Sequence, residues 1–104
     1  MTEMDKLDAA LTDMRLTHER LKTENGGDMI IAYGGVTGMK YRFDAICNDM
    51  SYGGKQGLIE VMGKWLLDNN DVLGWLTADE VVELVQKVKR QHRNATQKQR
   101  KANT

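Results

Sequence analysis

A chain of 104 residues, 40% hydrophobic and 29% charged, closes one modest core and falls short of the size at which chains divide into domains. It has no apolar run near the ~20 residues needed to cross a bilayer and no basic-then-apolar leader, so no membrane segment is expected; its lone Cys47 excludes an internal disulfide framework, and a soluble, cytoplasmic protein is expected. The formal charge of zero hides an asymmetry: every acid lies at or before Glu83, while Lys87, Lys89, Arg90, Arg93, Lys98, Arg100 and Lys101 follow it without one.

Taken in order, Met4, Leu7, Leu11, Met14, His18 and Leu21 recur at alternating spacings of three and four, the seam of a helix that packs on another surface. A helix over residues 3–24 is predicted, with Thr2 as N-cap and Asn25-Gly26-Gly27 as its end. From Asp28 the period changes. Met29–Tyr33 and Met39–Cys47 read as strands about the loop Gly34–Gly38, a β-hairpin. In the second strand Tyr41, Phe43, Ala45 and Cys47 are expected on one face, with Lys40, Arg42 and Asp44 on the other.

The loop Ser51–Gly57 precedes Leu58–Met62, which reads either as a third strand or as a helical turn running on to Leu67. Its β-branched Ile59 and Val61 and its flanking glycines favour the strand. After the polar turn Asp68–Asp71, Val72–Leu76 reads as a fourth strand, with a bulge or close backbone contact at Gly74. Thr77-Ala78-Asp79-Glu80 fits a capping box, opening a helix over 77–93 with Val81, Leu84, Val85 and Val88 as its core stripe. Residues 94–104 read as a basic flexible tail or helical extension. The expected fold is α+β: residues 1–93 form one domain of N-terminal helix, hairpin, two further short strands in a small antiparallel sheet over 28–76, and C-terminal helix.

Reaction chemistry is not legible. His18 and His92 are expected on separate helices, where paired seams would bring them into a pH-sensitive contact; polar residues at the solvated ends of helix stripes are the commoner explanation. Cys47 has no second ligand at metal spacing and reads as a small buried hydrophobe. Asp44, Asp49, Glu60, Asp68 and Asp71 form no pair or cluster that acid–base or metal chemistry requires. The glycines of Ser51–Gly57 beside Lys55 offer an anion cradle, but the P-loop spacing is missing, so a tight turn is the simpler reading. No catalytic residue, cofactor or metal is expected, and so no enzyme.

Three segments carry a resemblance: the hairpin ending in FDAIC, the run SYGGKQGLIEVMG and the helix start GWLTADEV. Over roughly residues 28–86 the chain resembles a group of small uncharacterised phage and prophage proteins. The resemblance implies a phage origin, a host bacterial cytoplasm, and action by binding a host or phage protein, antagonism of a defence system such as CRISPR included. Candidate partner-binding residues are Met4, Leu11 and Met14 on the first helix, whose seam would suit a partner helix or a second copy, together with Tyr52 and Lys55. The simpler reading of that seam is that it covers the domain's own four-stranded sheet. The alternative is a nucleic-acid-binding or regulatory protein using Lys87, Lys89, Arg90, Arg93, Lys98, Arg100 and Lys101, though that tail has no aromatic residue to stack on bases.

Overall fold

A computed structural model describes the backbone of residues 1–102 and the side chains of residues 1–93. In chain order it forms α1 (Glu3–Asp13), β1 (His18–Lys22), β2 (Asp28–Gly34), β3 (Lys40–Cys47), a 3-10 turn (Gly54–Gln56), β4 (Ile59–Met62), α2 (Lys64–Leu67), β5 (Val72–Leu76) and α3 (Ala78–Ala102). The strands make one antiparallel sheet in sequence order, and α1 and α3 cover one of its faces. The fold is α+β, as the period changes indicate.

The largest departure from expectation is at the N-terminal helix. The helix predicted over 3–24 ends at Asp13, and His18–Lys22 becomes an edge strand paired with β2. The helix is broken at Arg15, which takes the left-handed conformation (φ 57°), while the Leu16 amide donates to the Leu11 carbonyl. Met4, Leu7 and Leu11 do face the core, but Leu16, off the seam, completes it. The sheet has five strands instead of four, because β1 satisfies backbone groups that β2 would otherwise leave at an edge. His18 therefore stands on a strand, not on a helix seam.

The core side of the sheet is fixed by register. Ile30 and Ala32 pair with Ala45 and Phe43, and Val61 pairs with Ala45; all five are fully buried beneath Leu7 and Leu11 of α1 and Val81 and Val85 of α3. Truncating any one of these leucines to alanine removes transfer energy and leaves a cavity, a cost of about 3 kcal/mol. A register shift at Ala32/Tyr33 leaves Arg42 without a partner on β2, so that β3 bulges there. Tyr41 consequently leaves the Phe43 face where it was expected, and its hydroxyl donates to Asp44 on the opposite side (2.7 Å).

The start of α3 matches the sequence. The Glu80 amide donates to Thr77 Oγ1 (3.2 Å) and the Thr77 amide to Glu80 Oε1 (3.0 Å). Glu3 of α1 adds a long-range cap, accepting from the Ala78 amide at 2.8 Å, a bond that lowers its carboxyl pKa.

Candidate functional site

The face of the sheet away from the helices is uncovered. Alternation from the buried positions assigns to it Leu21 on β1, Met29 and Ile31 on β2, Ile46 on β3, Met62 on β4 and Val72 on β5. Leu21 is 48% exposed and Met62 41%; Met29, Ile31 and Ile46 are half-buried. The charged groups that alternate onto this face are Glu19, Asp44 and Glu60, with no lysine or arginine among them. Two tyrosines are tied to the acids: Tyr33 donates to Glu19 and Tyr41 to Asp44. Both phenols are raised in pKa, Tyr33 mainly by its bond to Glu19 and Tyr41 mainly by burial.

At the Cys47 end of this face Tyr52 and Trp75 stack, their ring centroids 5.2 Å apart, and remain 51% and 58% exposed. Trp75 is held left-handed (φ 56°), a conformation that costs a bulky residue on the order of 1 kcal/mol or more. The backbone enforces the arrangement, for the Trp75 amide donates to the Tyr52 carbonyl and a side chain at Gly74 would collide with Tyr52. Gly74 is the close contact that the sequence indicates.

The Ser51–Gly57 loop turns most of its amides onto its own fold. Ser51 donates its amide to the Asn48 carbonyl, Gly54, Gln56 and Gly57 donate theirs to carbonyls within the loop, and the Tyr52 amide goes to Glu60 Oε1 (3.1 Å). Gly53 and Gly57 are both left-handed, which is what the turn needs from them. Among the other candidate partner residues, Lys55 lies exposed on this turn, whereas Met4 and Leu11 are in the core and Met14 packs against it. The seam of α1 covers the domain's own sheet and is closed to a partner. The uncovered face escaped sequence reading because its residues pass for the second face of an ordinary sheet until the helices are seen to occupy only one side.

Of the basic candidates, Lys87, Arg90 and Arg93 are exposed and Lys89 half-buried on α3, with Lys87 and Arg90 beside Glu80 and Glu83. The side chains of Lys98, Arg100 and Lys101 lie outside the described residues. Cys47 is half-buried; its thiol lies 3.7 Å from the Gly54 carbonyl and is pushed up in pKa by burial first, then by Asp28 and Asp49. Among the described residues, no group of three or more His, Cys, Asp or Glu is placed to hold a metal ion, and no helix is long and apolar enough to cross a membrane.

The remaining cluster ties α1 to the sheet. Arg20 on β1 meets Asp28 at 2.6 Å, Asp5 at 2.9 Å and Asp8 at 3.4 Å, which raises its own pKa further. Asp5 is drawn down from 3.8 to about 2, first by the Thr2 amide and then by Arg20, and Asp8 is lowered chiefly by its 2.7 Å bond to His18. His18 also reaches the Leu16 carbonyl, completing a closed network. Set against protein-family models, curated proteins and solved structures, the chain matches none of them.

Proposed function

We propose that this chain is a non-enzymatic binding protein that captures a protein partner on the uncovered face of its sheet. The observation that carries the reading is the make-up of that face: a half-exposed apolar centre, acids without a base, and the Tyr52–Trp75 stack held out at one end. A backbone strained to keep a tryptophan exposed is not explained by burial. Charge complementarity selects a partner with an apolar patch rimmed by lysine or arginine. With the phage resemblance, the partner is a host or phage protein, and a basic nucleic-acid channel of a defence complex such as CRISPR is the specific candidate.

Capture from host lysate by the tagged chain tests this, run against Leu21→Ser/Met62→Ser and Glu19→Lys variants that change exposed side chains only. Nuclease-resistant capture lost in these variants supports the reading. Capture that ignores them, or that nuclease abolishes, favours the basic C-terminal segment instead. Light scattering on the free chain separates out self-association through the same face.

A further inference from the structure

At the end of the sheet opposite Trp75, the β3 bulge and α2 build a second site. Arg42 is turned toward α2, its guanidinium carbon 4.7 Å from the centroid of Trp65, whose ring in turn stacks on Phe43. On the other side lies Gly34, where any side chain would overlap the guanidinium. The fork is thus held between a ring and a bare stretch of backbone, and no hydrogen bond or carboxylate partner engages it among the described residues. Lys40 and Lys64 join Arg42, Tyr41, Trp65 and His92 around a cavity of about 450 Å³, and no acid among the described residues lines it. Neither lysine has an ion pair among the described residues. The Tyr41 ring is anchored by its hydroxyl to Asp44 and to the Met62 carbonyl, yet is 47% exposed.

A fixed guanidinium fork suits a phosphate, two lysines add charge without geometric demand, and an anchored, exposed tyrosine suits a planar base. The volume is in the range of small-ligand sites. We infer that this cavity binds a nucleotide unit, with the phosphate on Arg42, Lys40 and Lys64 and the base against Tyr41. The unit belongs to a single strand, because α3 passes the cavity at His92 and continues to Ala102 with Lys89, Arg93, Lys98, Arg100 and Lys101 in its sequence and no acid after Glu83. The site lies apart from the Tyr52–Trp75 stack, and it requires no partner protein.

The test uses the full chain with Trp75→Phe, which leaves Trp65 as the one tryptophan of the two. Its emission and the anisotropy of a labelled ten-nucleotide oligothymidylate are followed together, with thymidine monophosphate and inorganic phosphate as further probes. The oligonucleotide is expected to change Trp65 emission as it binds. Lys40→Ala/Lys64→Ala should weaken binding about ten-fold and make the log–log salt slope shallower by about 1.4, near 0.7 for each cation lost on a single strand. Arg42→Gln should weaken it at least as much while far-ultraviolet circular dichroism stays unchanged. Saturable binding of the monophosphate as tight as that of the oligomer would identify a free nucleotide as the source and remove the strand from the proposal. No binding at low salt, or binding that neither reaches Trp65 nor responds to the three substitutions, overturns it.

Discussion

Two arginines stand on the same sheet in opposite circumstances. Arg20 sits among Asp5, Asp8 and Asp28, only 17% of its side chain exposed, and its charge is answered within the fold. Arg42 is fixed as firmly, by the Trp65 ring and the Gly34 backbone, but its charge is answered by no acid among the described residues. A charge surrounded by opposite charges ties elements together. A charge immobilised by apolar and backbone contacts alone keeps its donors for something outside the chain.

The largest expected effect breaks the first arginine. Arg20→Ala leaves three carboxylates facing one another and should cost about 3 kcal/mol in urea unfolding. Acid should act on Asp5 and Asp8 of this cluster and on Glu3 at the cap of α3. Glu3, Asp5 and Asp8 hold folded-state pKa values below their ordinary ones, so the unfolded chain protonates first as pH falls. Their contribution is complete above about pH 5 and lost progressively toward pH 2; Arg20→Ala should lessen the Asp5 and Asp8 part of this dependence and leave the Glu3 part, while Arg42→Gln leaves all of it in place. Gly34→Ala comes next: the new methyl displaces the Arg42 fork, with a stability cost of about 1 kcal/mol and roughly ten-fold weaker oligonucleotide binding. Arg42→Gln loses a cation–π contact and should cost at most about 1 kcal/mol. Smallest of all, Lys40→Ala and Lys64→Ala should stay within about 0.5 kcal/mol of the parent. If the Arg20 and Arg42 variants proved equally destabilising, the contrast between a structural and a ligand-facing arginine would fall.

Much of the fold was readable wherever local chemistry decides it. The hairpin, the strand at Ile59–Met62, the fourth predicted strand with its contact at Gly74, and the Thr77–Glu80 box all stand where periodicity, glycine and capping rules put them. The failure at His18–Lys22 has a physical cause. Met14, His18 and Leu21 continue a helical spacing by coincidence, and pairing with β2 outweighs that weak propensity. Of the named binding residues, Tyr52 is exposed and stacked while Met4 and Leu11 are core, since a seam shows which residues share a side but not what lies against it.

The order and kind of most elements follow from the residues alone, because hydrophobic period, glycine tolerance and helix capping act over a few neighbouring residues. The charge asymmetry along the chain is likewise legible without a fold. Which sheet face the helices cover, the parting of Tyr41 from Arg42 at a bulge, and the contact of Arg42 with Trp65 some twenty residues away come from the assembled fold. Those outcomes depend on packing and register between distant segments, and no local pattern encodes them.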